Sequence, residues 1–304
     1  YQVSPIPIPV SPFSECSDKY HLNLTRSSLI SLTIIAMMLW GLSWTNAKIV
    51  GNYGEASLMM FWRFLFATLA FTPVVFLSGD TFNINRASFR YVLINAIFMT
   101  SYNYFYFKGT QIGLAGTGGI LVTTLNPIFT ALFATLFFNE ALPQKNIIGL
   151  LLGLLGSGII MRLWSLDPNA LVQSGNLFFL FASLSWAIVT LNTSFSKGTI
   201  SFIPFSFWCF LLSSIISLPM AIHDPIMVIF TFDGIFWLNM MLLSIGAMAY
   251  GTSIYFLASV RLGAHSASAF IFTVPITAMG FAMVFLDEMI TLSTTIGGIL
   301  TMSA

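Results

Sequence analysis

Apolar runs of about 20 residues alternate with short polar breaks along almost the whole chain. At 1.5 Å of helix per residue, that is the length needed to cross a hydrocarbon core of roughly 30 Å. The runs fall at 29–49, 56–78, 90–110, 115–138, 146–164, 175–196, 202–222, 236–258, 264–286 and 291–304. The pattern predicts an all-α polytopic membrane protein with ten transmembrane helices. The last run holds 14 residues, about 21 Å of helix and too short to cross. Because the fifth run is full length, the sequence is expected to stop inside a tenth span. Residues 1–27 are Pro/Ser-rich and lack the basic-then-apolar order of a signal peptide. They are expected to form an N-terminal tail lying outside the membrane.

The polar breaks and the glycines repeat. Pro127, Glu140 and Gly149 recur as Pro275, Glu288 and Gly297, each 148 positions later. Ile148 and Leu114 recur as Ile296 and Leu262 at the same offset. Trp40 to Asn46 matches Trp186 to Asn192 at 146, and Phe61-Trp62-Arg63-Phe64 matches Phe207-Trp208-Cys209-Phe210 at that same offset. Tyr106-Phe107 matches Tyr255-Phe256 at 149, so a small insertion separates the blocks. The chain therefore reads as an internal duplication, with halves at 28–165 and 174–304. Each half has five spans, an odd number, so the halves enter the membrane in opposite directions. Inverted repeats of this kind place a substrate path between the two halves.

Composition agrees with this reading and narrows it. Hydrophobic residues make up 57% of the chain and charged ones only 7%, with a mean hydropathy of +0.90. A soluble domain carries about 25% charged residues. The net charge of +1 says nothing about partners, and there is no basic patch to support a nucleic-acid role, so no nucleic-acid partner is expected. With a cytoplasmic N-terminus, the inner side holds Lys19, Arg26, Arg86, Arg90, Lys145, Lys197 and Arg261, and the outer side Lys48, Lys108 and Arg162. The excess of basic residues favours this orientation. Both termini are then cytoplasmic and the protein lies in the cell inner (plasma) membrane.

The five-span repeat, the aromatic-Arg-Phe opening of the second span and the paired Pro…Glu…Gly signature resemble the EamA-type transporters of the drug/metabolite transporter superfamily. The resemblance covers roughly residues 28–304. It implies a ten-helix carrier that moves small metabolites such as amino acids by alternating access. It also implies that spans 1, 3, 4, 6, 8 and 9 line a central cavity, with spans 5 and 10 packed at the periphery. The second copy departs from the first at Asp287, where the first has Asn139, and at Cys209, where the first has Arg63.

Arg63 is the charged residue placed well inside a span, where charge is costly and marks a site. It could hold a substrate carboxylate through two parallel hydrogen bonds, or brace neighbouring helices. Pro127 and Pro275 each remove a backbone donor in mid-span and free a carbonyl, so they are candidates for a hinge or gate. Thr123 and Asn126 make the first break the more polar. Trp40, Asn46, Tyr102, Asn103, Tyr106, Trp186, Asn192, Tyr250 and Tyr255 complete the candidate substrate-binding set. Their amides and hydroxyls would be unsatisfied in lipid, and their rings could stack on a planar or cationic substrate. Glu140 and Glu288 stand just before spans five and ten, where an acid favours a helix N-terminus; they read as structural caps. Gly149 and Gly297 read as close-packing positions, within the monomer or in a homodimer.

Absent groups narrow the chemistry. No Asp or Glu occupies the middle of a span, and neither His223 nor His265 has a metal-spaced companion. No catalytic residue, metal or cofactor is expected. The reading is a secondary transporter of small organic metabolites, amino acids or related compounds foremost. The rivals are an integral membrane enzyme acting on lipid-linked substrates and a non-transporting scaffold that uses the tail.

Overall fold

The computed structural model of the chain describes residues 24–138, 144–161, 174–289 and 291–303. The tail up to residue 23, Glu140 and the linker at 162–173 lie outside the described residues. Helix α1 (Arg26–Val50) starts at Thr25, whose hydroxyl accepts from the Ser28 amide at 3.1 Å. It is followed by α2 (Ala56–Ser78), α3 (Arg86–Ile112), α4 (Ala115–Phe138) and α5 (Gln144–Ile160). Then come α6 (Asn176–Phe195), α7 (Phe202–Ala221) and a 3-10 turn at Ile226–Thr231. Helix α8 is composite: α-helical at Gly234–Met241, π-helical at Leu242–Thr252, and α-helical again at Ser253–Leu262. Asp233 caps its start, accepting from the Phe236 amide at 3.0 Å and the Tyr53 hydroxyl at 2.7 Å. Those two donors hold its carboxyl below the ordinary aspartate range. Helix α9 runs Ala264–Phe270, tightens through a 3-10 turn at Ile271–Thr273, and continues as Val274–Leu286; α10 is Leu292–Met302.

Seven of these helices are long and apolar enough to cross a membrane: α1, α2, α4, α6, α7, α8 and α9. The protein is a polytopic helical membrane protein. Helix α3 has 27 residues but is more polar, and its Asn95 and Asn103 are fully buried. Large apolar side chains such as Leu77, Phe137, Leu155 and Val284 face outward. On a soluble protein such a surface would invite association; against lipid it is the expected exterior.

Packing exchanges between the two sequence copies. Helix α3 packs on α6, and α8 packs on α1; α4 packs on α6, and α9 on α1; α2 meets α7, and α5 meets α10. Hydrogen bonds exchange as well. The Trp62 indole of α2 donates to the Ile226 carbonyl beyond α7, and the Trp208 indole of α7 donates to the Phe82 carbonyl beyond α2, each at 2.9 Å. Within each copy the matched tyrosines bond alike: the Tyr106 hydroxyl donates to the Ser43 carbonyl at 2.6 Å, and the Tyr255 hydroxyl meets Thr190 at 2.9 Å.

Two structural assignments are sharpened here. Glu288 is a cap, but of α4 rather than of the helix that follows it. Its two carboxylate oxygens accept from the amides of Ala115 (2.7 Å) and Gly116 (2.8 Å). Helix α10 is instead started by Thr291, which accepts from Thr294 at 3.2 Å. The reason is reach: α9 ends beside the α4 N-terminus, so the acid finds two free amides there. Gly297 lies against the Gly156 carbonyl and Ile160, where a Cβ would overlap both, so its close packing joins α10 to α5 within one chain. Gly149 is half-buried on α5.

Candidate functional site

The side chains that converge do so where α1, α2, α3, α4, α6, α8 and α9 meet. They line a partly open cavity of about 30 Å³, room for a water or two. Helix α1 contributes Trp40, Ser43 and Trp44; α2 gives Arg63; α3 gives Tyr102; α4 gives Val122, Thr123 and Asn126; and α6 gives Trp186. Met248 and Thr252 enter from the π-helical stretch of α8, and Ile271 and Val274 from the irregular turn of α9.

Arg63 is 4% exposed. Its Nη1 donates to Asn103 Oδ1 at 2.8 Å, and the Asn103 amide is oriented by its own bond to the Met99 carbonyl at 2.9 Å. The guanidinium lies over the Tyr106 ring at 5.1 Å and near the Phe107 ring at 5.8 Å. Its Nε is buried without a partner. Both polar atoms of Asn126 and the Trp186 indole nitrogen are in the same condition. An unmade hydrogen bond at a buried donor costs about 1–3 kcal/mol. Several around one cavity mark a place where a ligand or water completes the set.

The aromatic wall is continuous. Trp186 meets Trp40 edge-on at 5.2 Å and Tyr102 at 4.6 Å, and Tyr255 backs Trp40 at 4.9 Å. The Trp40 indole donates to the Ala247 carbonyl at 2.9 Å inside the π-helical stretch. That stretch, a device common at functional sites, thereby locks α8 to α1.

Each proline follows a cavity-lining residue, Asn126 or Val274. In a helix, the missing N–H of Pro127 frees the Thr123 carbonyl, whereas near Pro275 the Ile271 carbonyl accepts from the Val274 amide. Thr123 and Ile271 both line the cavity. Helix α4 runs straight through Pro127, whereas Pro275 follows the 3-10 turn at the head of the second segment of α9.

Of the predicted binding set, Trp40, Arg63, Tyr102, Thr123, Asn126 and Trp186 reach the cavity. Asn103, Tyr106 and Tyr255 stand behind it and hold the lining groups. Asn46 is buried on α1 away from the lining. Asn192 joins α6 to α3, donating to the Tyr91 carbonyl at 2.8 Å and to Asn95 at 2.5 Å. Tyr250 donates to the Leu32 carbonyl at 3.2 Å, between α8 and α1. These three are polar and inward-facing, as lipid demands, but they meet helices instead of the cavity. Among the described residues, no group of three or more His, Cys, Asp or Glu could hold a metal ion.

The sequence profile of the EamA-like transporter family matches residues 27–162 and again 173–304. The chain belongs to that family. EamA-type proteins form part of the drug/metabolite transporter superfamily, and this chain is accordingly a membrane transporter. It is 24% identical over 283 residues to the uncharacterized transporter YoaV of Bacillus subtilis, covering 90% of this chain and 92% of that one. It is 24% identical over 178 residues to the S-adenosylmethionine uptake transporter of Rickettsia felis, covering 58% of each. A solved crystal structure superposes with a TM-score of 0.65 at 18% identity, covering 92% of this chain and 95% of that chain. The fold is thus shared at a sequence distance where side chains have largely changed.

Proposed function

We propose that this EamA-type protein is a secondary transporter that moves small organic metabolites, amino acids or related compounds, across the inner membrane as an exporter or exchanger. One observation carries the reading: a cavity where both sequence halves meet, lined by buried polar groups without partners. Such a site is built for a ligand, and a transport site in the middle of an inverted repeat is where one is expected. The exchanged packing of α3·α6 with α8·α1 supports ten helices in two inverted halves, 28–165 and 174–304. Both termini are then cytoplasmic. Alternating access opens the cavity to each side in turn, with Pro127 and Pro275 as the flexing points. The Rickettsia felis relative, named for S-adenosylmethionine uptake, lends support to an amino-acid-derived cargo.

Purified protein in liposomes, preloaded with a broad metabolite panel, should show counterflow of at least one labelled compound. Absence of counterflow across the whole panel would overturn the reading.

A further inference from the structure

The cavity's own chemistry narrows the cargo, on the reading that it is the transport site. Arg63, Asn126 and Trp186 are each nine-tenths or more buried, and all three line the cavity with unpartnered polar atoms. The inventory is lopsided. Arg63 Nε–H, the Asn126 NH₂ and the Trp186 indole N–H are donors, and Asn126 Oδ1 is the unpartnered acceptor among them. The lining holds the Arg63 cation and no Asp or Glu. The hydrogen bond to Asn103 and the Tyr106 ring orient the guanidinium, but neither neutralises it. A buried cation without a counter-charge is costly, and an acceptor-only anion with several lone pairs relieves both the charge and the empty donors.

We infer that the cavity binds planar organic carboxylates, recognising the negative charge and not an ammonium group. The carboxylate engages Arg63, with Asn126 and Trp186 supplying further donors. The planar body lies among Trp40, Trp44 and Tyr102. Asn126 Oδ1 takes one neutral donor from the ligand, such as a hydroxyl. A ligand ammonium finds no carboxylate in the lining and sits beside the like charge of Arg63. A zwitterion therefore gains the carboxylate contact but carries a penalty at its other end.

A set built on one phenyl ring separates these terms without altering the protein: phenyllactate (anion with hydroxyl), its isostere phenylalanine (zwitterion), and their decarboxylated counterparts phenylethanol (neutral) and phenethylamine (cation). Binding to the full chain in detergent is read by quenching of tryptophan fluorescence and by thermal shift. The expected order is phenyllactate, then phenylalanine, with phenethylamine at least about tenfold weaker than phenyllactate. In Arg63→Gln the anion should lose about tenfold or more while phenylethanol is unchanged. Phenethylamine binding as tightly as phenyllactate, or no binding by any of the four, would overturn the proposal. An anion preference that survives intact in Arg63→Gln would also overturn it. Counterflow is a separate outcome. If the anion binds with the expected order yet no panel compound is carried, the anion site stands and the transporter reading fails.

Discussion

The residue that organises the site is Arg63, and Asn103 is what aims it. The asparagine spends its NH₂ on the Met99 carbonyl, which leaves its oxygen pointed at the guanidinium. Asn103→Ala should therefore weaken binding of a carboxylate ligand several-fold and lower stability by about 1–3 kcal/mol, since a buried charged donor loses its partner. Tyr255→Phe is the contrast, because Tyr255 touches the cavity only through the rings of Trp40 and Trp186. It removes the bond to Thr190 and should cost about 1 kcal/mol with ligand affinity unchanged. Thermal shift with and without ligand distinguishes the two. Much of this was legible in the sequence: a charge, a tryptophan pair, a tyrosine and a polar proline break, all inside apolar runs, do meet at one cavity. Depth and direction were not legible. Asn192 lies on the same helix as Trp186 but further along it, where the facing surface is α3. Lipid forces a polar group inward without saying which inner neighbour it finds.

At the scale of elements, the cavity is lined where helices are irregular. Pro127 lies one position past Asn126, and restoring a backbone donor with Pro127→Ala would let the Thr123 carbonyl be bonded within the helix. That variant should melt at a higher temperature and carry substrate more slowly, because a regular α4 flexes less. A faster carrier would argue against the hinge role. The irregular part of α9 and the π-helical stretch of α8 supply Ile271, Val274, Met248 and Thr252, none of which stands out in the sequence. Three are apolar, and the wide turn has no residue signature of its own. The capping role of Glu288 was legible in kind but not in partner: an acid beside a helix start says that amides are near, while the choice of α4 depends on the tertiary path of α9.

At the scale of the molecule, the end of α9 beyond the cavity-lining Val274 packs closely on α1 and α4. A Cβ on Gly41 would overlap Thr277, and one on Gly119 would overlap Ala278, so α1 and α4 both press on α9. Glu288 ties the end of α9 to the start of α4. Under the alternating access proposed above, this end would have to part from α4. In a cysteine-free background, Gly116→Cys with Met279→Cys bridges α4 and α9 at a point where a Gly116 Cβ already lies 3.0 Å from the Met279 sulfur. Oxidation should stop counterflow and reductant should restore it; undiminished transport by the oxidised form would mean that this end never opens.

The wide turn of α8 also accounts for part of an arithmetic discrepancy. The offset between the copies grows from 146 at Trp62 and Trp208 to 149 at Tyr106 and Tyr255. The offset is already 148 where the two helices start, at Arg86 and Gly234, so the longer connection before α8 takes up two of the three surplus residues and α8 takes up one. The π-helical stretch absorbs that residue inside the helix while the flanking segments keep their bearing on α1 and α6. It works as a phase corrector between duplicated segments. Deleting one residue from Leu242–Thr252 would let the wide turn close to regular α-helix, and Tyr255 would keep its place on Thr190. A deletion in the regular helix that follows, at Ser253–Leu262, has no wide turn to absorb it and turns everything after it by about 100° about the helix axis. The first deletion should therefore lower the melting temperature less than the second.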